Sequence, residues 1–486
     1  MRPAASFASY VLVAAQAIVL GSFARPAMAA PAAVADAGQK GPYEVGFTSW
    51  VVTDPSRPGD GVVFENRPVT VFVWYPVDPG TITASSPEAM YPLDPPYGHL
   101  PAYPASAWAP YGFDRAYQEP APSARGPFPL LVLSPGWTGA AWSQMPLATR
   151  LASHGIVVAV TGHVFDSIWE WEPALDMPGL LTHHILGVVS YHRPRDMSFA
   201  LSDLLAKNAT PGHLLEGTIH PDQIAAGGHS LGGYAAITLV TGDDSVCDTL
   251  YGYDLYDPPD WTCTPTPADP RIKALVTLDP SSWIMHFSEM ARVQIPVLAL
   301  NQEWNSLTAQ VALGMVPPQW QSWGARPHAA YSGRPSYRVE LLGSSHGTFG
   351  DGCNTARFVT DNGLAESVFE MPHDWDWVAF ACDPIPGIQP IPSAVANRII
   401  AQYAVAFVKT VLAGDRGYQA MLTPGWALTH EPYIELFVAE PRSPHSIADD
   451  WPSWFTYFIH QPGSAQARGV TEPTERMLIP RHRLPF

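Results

Sequence analysis

Gly227-Gly228-His229-Ser230-Leu231-Gly232-Gly233 decides how this chain is read. Ahead of it, Gln223-Ile224-Ala225-Ala226 is short and apolar enough for a buried strand. Behind it, Tyr234-Ala235-Ala236-Ile237-Thr238-Leu239-Val240 reads as the first turns of a helix. A Gly-x-Ser-x-Gly sequence where a strand meets a helix predicts a sharp, strained turn. Its glycines relieve backbone crowding, and its serine oxygen is left open for attack. The same five-residue pattern recurs at Gly343-Ser344-Ser345-His346-Gly347. There Thr348-Phe349-Gly350-Asp351-Gly352 cannot open a regular helix, so Ser230 is the expected nucleophile and Ser345 an ordinary turn serine.

Outward from that turn, apolar runs of strand length fall at 45–53, 69–77, 128–133, 156–161, 223–227, 272–278, 296–301 and 337–342. Helical patterns at 142–154, 194–206 and 232–240 sit between several of them, and 394–412 suits a last helix. The later runs are continuous rather than alternating, as when both faces of a parallel sheet are covered. Eight strands with intervening helices predict an α/β-hydrolase fold: a mostly parallel eight-stranded sheet flanked by helices, with loop insertions.

A serine hydroxyl needs an imidazole to take its proton and a carboxylate to hold that ring in the right tautomer. In this fold the order is Ser, acid, His, so the base must follow Ser230 in a loop after a late strand. His346 meets that condition, four residues beyond the strand ending at Leu342; His286, His328 and His373 follow no strand so directly. For the acid, Asp279 comes at once after the 272–278 strand, before Pro280. A common alternative position, one strand later, holds Glu303 and Asn305. An amide cannot stabilise an imidazolium, which leaves Asp279 preferred and Glu303 the alternative. The oxyanion donors are expected to be the N–H of Leu231 and, since Pro135 has none, that of Trp137 in Ser134-Pro135-Gly136-Trp137.

These residues resemble those of the secreted, plasma-type platelet-activating factor acetylhydrolases and their bacterial dienelactone-hydrolase-like relatives. The resemblance starts at Gly41-Pro42-Tyr43-Glu44-Val45-Gly46 and runs, with long gaps, to about Leu412. It includes Phe128-Pro129-Leu130-Leu131-Val132-Leu133-Ser134, the Ser230 turn, Thr277-Leu278-Asp279-Pro280 and Ser345-His346-Gly347-Thr348-Phe349. It implies an acid after the sixth strand, matching Asp279, and oxyanion donors matching Trp137 and Leu231. It further implies esterases that release short or oxidised acyl chains from phospholipids without metal or cofactor. The family's usual His-Gly in the oxyanion loop is Pro135-Gly136 here.

Bulk properties bound the rest. The chain has 486 residues, 47% of them hydrophobic, enough for one large domain with a sizeable core. Its 26 basic and 44 acidic residues give a formal charge of −18, and only Lys40, Lys207, Lys273 and Lys409 are lysines. An acidic surface without a basic run argues against nucleic acid as a partner and against electrostatic docking on anionic lipid; the partner expected from the serine constellation and the aromatic insertions is a small-molecule or lipid ester substrate. Arg2, the apolar stretch 10–23 and Ala27-Met28-Ala29 read as a signal peptide over 1–29, cleaved after Ala29, and hence a secreted or periplasmic protein. The hydrolase domain is expected over 30–413, with insertions near 81–125, 164–191 and 243–269 and an extension of unknown role over 414–486. The aromatic 164–191 segment is a candidate lid or substrate wall. In an oxidising compartment Cys247, Cys263, Cys353 and Cys382 form an even set, and proximity favours Cys247–Cys263 and Cys353–Cys382. Metal-ligand spacings are missing. For the seven aspartates of 243–269 a disulfide-stapled loop is preferred to a calcium site.

Overall fold

The computed structural model describes residues 36–59, 64–169, 189–244, 263–281, 285, 287–303, 328, 330–365, 377–383 and 389–439. The chain divides into units Met1–Ala33 and Val34–Phe486, and every described residue belongs to the second. The expected signal peptide lies outside the described residues, as does most of the candidate lid and of the aspartate-rich insertion.

The twelve described strands are β1 (Glu44–Pro58), β2 (Asn66–Val77), β3 (Met90–Tyr91), β4 (Tyr103–Pro104), β5 (Tyr117–Gln118), β6 (Phe128–Ser134), β7 (Val157–His163), β8 (Ile219–His229), β9 (Ala274–Leu278), β10 (Val297–Gln302), β11 (Ser336–Leu341) and β12 (Ile434–Val438). Ten form one sheet in the order β12-β11-β10-β9-β8-β6-β7-β2-β1-β5, while β3 and β4 pair separately. Pairing is parallel from β11 through β7 and antiparallel at β7–β2, β2–β1 and β11–β12. All eight expected strands are present. The sheet is larger than the eight strands expected, because each edge gains a strand from a segment read as an addition. Within 81–125, Tyr117 and Gln118 pair with Gly46 and Phe47; within 414–486, Ile434–Val438 runs antiparallel to β11. Both added strands are short, five and two residues, so neither carried a strong periodic signal.

Helices cover the faces: α1 (Met145–Ser153), α2 (Arg193–Ala209), α3 (Leu231–Thr241) and, after the last parallel strand, a group of which the longest is α6. That group is α4 (Gly352–Asp361), α5 (Trp377–Cys382), α6 (Ser393–Val411) and α7 (Pro424–His430). Alternation along the strands feeds two cores. Phe72, Trp74, Leu131 and Leu133 point to the face covered by α1 and α6, with Leu151, Ala404 and Phe407. Val71, Val73, Leu130 and Val132 point to the other, with Met197 and Leu201 of α2 and Tyr234 and Ile237 of α3. Because both faces are covered, the central strands read as continuous apolar runs.

The 81–125 segment is built into the first core. Trp108 stacks on Phe358 of α4 with ring centroids 3.5 Å apart, and it touches Trp142 at 5.0 Å. Trp142 and Trp169 both donate indole N–H groups to the carbonyl of Leu93, at 3.1 and 2.8 Å. A disulfide joins Cys353, at the start of α4, to Cys382, at the end of α5. Cys263 is also disulfide-bonded, and its expected partner Cys247 lies outside the described residues. Among the described residues no helix is long and apolar enough to cross a membrane, and no group of three or more His, Cys, Asp or Glu could hold a metal ion.

The Cys353–Cys382 crosslink closes a loop of 29 residues. Replacing both cysteines by serine is expected to lower the unfolding free energy by roughly 3 kcal/mol, read as a shift of the urea midpoint. An unchanged midpoint would show that this crosslink does not restrain the unfolded chain.

Candidate active site

β8 delivers the chain to Ser230, and α3 begins one residue later. Between them Ser230 adopts φ 55° and ψ −123°, a left-handed conformation for a residue with a side chain. Three glycines make that turn possible by close backbone approach. A Cβ on Gly228 would lie 2.3 Å from the carbonyl oxygen of Gly232, and one on Gly232 would lie 2.1 Å from that of Ser134. A Cβ on Gly233 would meet Cβ of Pro280 at 2.7 Å. Backbone bonds then lock the bend: the Ser230 amide donates to Leu278 (3.1 Å), and its carbonyl accepts from Tyr234 (3.2 Å) and Ser281 (2.9 Å). At the second copy of the pattern, Ser345 has φ −118° and ψ 172° and caps a single 3-10 turn, His346–Gly350. That backbone is ordinary extended chain and presents no strained serine.

The three residues singled out from the sequence meet here. Nε2 of His346 lies 2.8 Å from Oγ of Ser230, and Nδ1 lies 2.6 Å from Oδ2 of Asp279. Asp279 also accepts from the side chain of Gln302 at 2.6 Å and from its backbone N–H at 3.3 Å. Burial alone would raise the Asp279 carboxyl, but the His346 and Gln302 hydrogen bonds outweigh it and hold it below the ordinary carboxylate range. An ionised Asp279 requires the proton on Nδ1 of the neutral ring, so Nε2 accepts from the Ser230 hydroxyl. Oγ of Ser281 lies 3.2 Å from Oγ of Ser230, so a second hydroxyl borders that oxygen.

Glu303 stands elsewhere: its Oε2 accepts from the backbone N–H of Gly343 at 2.7 Å, tying the end of β10 to the loop that carries His346. Asn305, His286 and His373 lie outside the described residues. His328 is described and buried, outside this constellation.

His229, the variable residue of the Gly-x-Ser-x-Gly pattern, carries an anchoring role not read from the sequence. Its Nε2 bonds the carbonyl of His346 at 2.9 Å, and a carbonyl only accepts, so a neutral His229 carries its proton on Nε2. Burial, reinforced by the neighbouring His346 ring, pushes its pKa down to about 3, so it stays uncharged. A Cβ on either Gly136 or Gly350 would come within 2.7 Å of its Nδ1, so the ring is wedged between the backbones of the loop after β6 and of the His346 loop. Nothing in sequence spacing marks that role. Leu231 is the first residue of α3, where backbone N–H groups have no intrahelical acceptor. Trp137 lies in the loop after β6, where a Cβ on Gly136 would stand 3.4 Å from Ser230 Cβ.

No family model and no curated protein matches the chain, the acetylhydrolases included. Solved structures do. One is a ferulic acid esterase from Streptomyces cinnamoneus, with a TM-score of 0.52 and 20% sequence identity, the match covering 85% of this chain and 100% of that one. With a mostly parallel sheet between two helical layers, this likeness makes the fold an α/β-hydrolase fold.

Behind the His346 turn, Asp351 is buried with Oδ1 accepting from Asn354 and Asn397, each at 3.0 Å, while Oδ2 has no hydrogen-bond partner among the described residues. Burial pushes its carboxyl up to about 7. The native state therefore holds a proton that the unfolded chain has lost above the ordinary carboxylate range. Its contribution to stability is full at low pH and is lost as pH rises through about 7. Asp351→Asn keeps the acceptor and suits the left-handed backbone at φ 53°. The variant should gain stability relative to wild type by about 1–3 kcal/mol on going from acid to mildly alkaline buffer, read from urea unfolding at both pH values. A gap that does not change with pH would show that Asp351 does not titrate in this window.

Proposed function

We propose that this protein is an exported serine hydrolase that cleaves carboxylic esters through an acyl-enzyme on Ser230. The observation that carries the reading is the continuous relay from Ser230 Oγ through His346 to Asp279, at 2.8 and 2.6 Å, set on a strained turn. Ser230 Oγ attacks the ester carbonyl as His346 Nε2 takes its proton, and Asp279 stabilises the imidazolium. The carbonyl oxygen becomes an oxyanion held by the N–H groups of Leu231 and Trp137. Collapse returns the proton from His346 to the departing alcohol. Water, activated by the same imidazole, then releases the acid and frees Ser230. The scheme needs no metal and no cofactor.

Short-chain or phospholipid acyl esters are the preferred substrates, in line with the residues shared with the acetylhydrolases. A second reading, esters of hydroxycinnamic acids, is supported by the structural likeness to a ferulic acid esterase, whose whole length is matched. Export is supported by the apolar N-terminal stretch and by the Cys353–Cys382 disulfide.

A fluorophosphonate probe should label the purified protein and fail to label Ser230→Ala. On a p-nitrophenyl ester, Asp279→Asn should lower kcat by about 10³–10⁴ and Glu303→Gln far less. Labelling that survives Ser230→Ala overturns the mechanism; a collapse in Glu303→Gln alone overturns the choice of acid. A panel of acetyl to long-chain esters, a 2-acetyl phospholipid, methyl ferulate and a polyester film ranks the substrate classes, with the short-chain and phospholipid esters expected to turn over fastest.

A further inference from the structure

Beneath the oxyanion loop lies a buried polar group that the proposed chemistry does not use. Its centre is Arg193, the first residue of α2, which has 0% exposure. Nη2 donates to the carbonyl of Gly136 at 2.8 Å, and Nη1 donates to the carbonyl of Pro135 at 2.5 Å and to Oγ of Ser134 at 3.0 Å. Nε pairs with Oδ2 of Asp166, whose Oδ1 accepts the backbone N–H of Thr138 at 2.9 Å. One guanidinium and its carboxylate therefore grip the backbone at Pro135, Gly136 and Thr138 and the side chain of Ser134.

Ser134 is in turn fixed by a second serine–histidine–aspartate line. Its Oγ lies 2.8 Å from Nε2 of His163, whose Nδ1 lies 2.9 Å from Oδ2 of Asp196. Asp196 is also paired with Arg57 at 2.7 Å and with Arg67 at 2.7 Å. Burial pushes His163 down to about 4, with the Arg193 charge adding to the effect, so the ring is neutral. With Nδ1–H on Asp196, Nε2 accepts from Ser134, and the Ser134 oxygen is left to accept from Arg193. This line copies the spacing of the Ser230 relay, but Ser134, His163 and Asp196 are all at 3% exposure or less and Ser134 ends an ordinary strand. It holds a loop and meets no substrate.

The consequence follows from peptide geometry. Gly136–Trp137 is a trans peptide, in which the carbonyl and the N–H point in opposite directions. Drawing the Gly136 carbonyl down onto Arg193, with Gly139 N–H adding a bond at 3.0 Å, turns the Trp137 N–H away from the guanidinium. This peptide borders the Ser230 turn, since a Cβ on Gly136 would touch Cβ of Ser230 at 3.4 Å. From this arrangement we infer that Arg193, held by Asp166 and Ser134, is the positioning residue of the oxyanion hole, fixing the peptide plane that aims Trp137 N–H at the developing negative charge. The inference deepens the reading of Ser230 as nucleophile and rests on it.

The test compares wild type with Arg193→Lys. Lysine restores the charge opposite Asp166, but a single ammonium cannot reproduce a planar fork on three acceptors. Arg193→Lys is expected to lose about 10- to 100-fold in kcat on a p-nitrophenyl ester with KM within about 3-fold, less than the loss of a whole donor. A matched thionoester distinguishes positioning from general damage, because a sulfur anion gains little from the N–H donors. The oxo-to-thiono preference should fall with kcat, and the pH profile of kcat should stay put. Equal losses on both esters, or kcat unchanged in folded Arg193→Lys, would overturn the inference. Should Arg193→Lys not fold, Asp166→Asn keeps the Thr138 acceptor and removes the acceptor of the Arg193 Nε–H. It should shift the oxo-to-thiono preference the same way, and an unmoved preference overturns the inference equally. Ser230→Ala, run alongside, separates the two claims: turnover near the wild-type rate there sinks the nucleophile assignment, whatever Arg193 does.

Discussion

Backbone packed directly on backbone, where the end of β6 meets the start of α3, is the constraint from which the site's geometry descends. The carbonyl of Ser134 lies so close to Gly232 that a methyl group there would sit 2.1 Å away, and that of Pro135 would stand at 2.3 Å. Two chain segments separated by about a hundred residues can approach so closely only where side chains are missing. The approach has two effects at once. It bends the chain at Ser230 into the left-handed region, so that the side chain stands clear of the helix. It also brings the loop that carries Trp137 against the same bend. The Ser230 turn and the Trp137 loop are thereby set against each other at one backbone contact.

The imidazole loop arrives from the far end of the parallel strands and is held by different means. Glu303 takes its backbone at Gly343, His229 takes the carbonyl of His346, and the capping pair Ser345 and Thr348 rounds off the turn. Below it, α4 rests through Phe358 on Trp108, a residue of the 81–125 segment. That segment therefore supports the His346 loop from beneath and belongs to the same core as the sheet. Histidine position in such a site depends on angles of a few degrees, and several weak anchors from separate parts of the chain restrict it more than one strong anchor could.

Two serine–histidine–aspartate lines with nearly equal spacing exist within one domain, and their comparison separates geometry from reactivity. Hydrogen-bond distances do not distinguish them. The difference lies in the surroundings: Ser230 sits on a strained turn at a helix start, whereas Ser134 closes a β-strand with an arginine on its oxygen. The three aspartates of the buried group, Asp54, Asp166 and Asp196, are matched by Arg57, Arg67 and Arg193, so its charge is balanced with both histidines, His163 and His192, held neutral by burial. Such a group is costly to bury unless every member is paired, and paired members resist displacement. It suits a part whose task is to keep a peptide plane still.

Local chemistry made much of this legible without coordinates. The Gly-x-Ser-x-Gly turn could be told from its copy at Ser345, because helix-forming residues follow one and glycines and an aspartate follow the other. Eight strands were readable because a sheet covered on both faces writes itself as continuous apolar runs. Asp279 could be placed directly beyond a strand end, and Cys353 could be matched to Cys382 by nearness. What stayed hidden depends on partners far apart in sequence. β5 and β12 are too short to show a period and exist because longer strands offer them an open edge. His229, Gln302, Ser281 and Arg193 look like ordinary residues of a strand, a strand end, a turn and a helix start. Their roles come from the carbonyls, hydroxyls and carboxylates that the fold sets within 3.5 Å of them, and no spacing along the chain encodes those meetings. Sequence alone determined which groups could react and which segments would be strands and helices, since both follow from residue type and local period; which reactive groups met, and what held them there, was decided only when distant backbone closed on backbone.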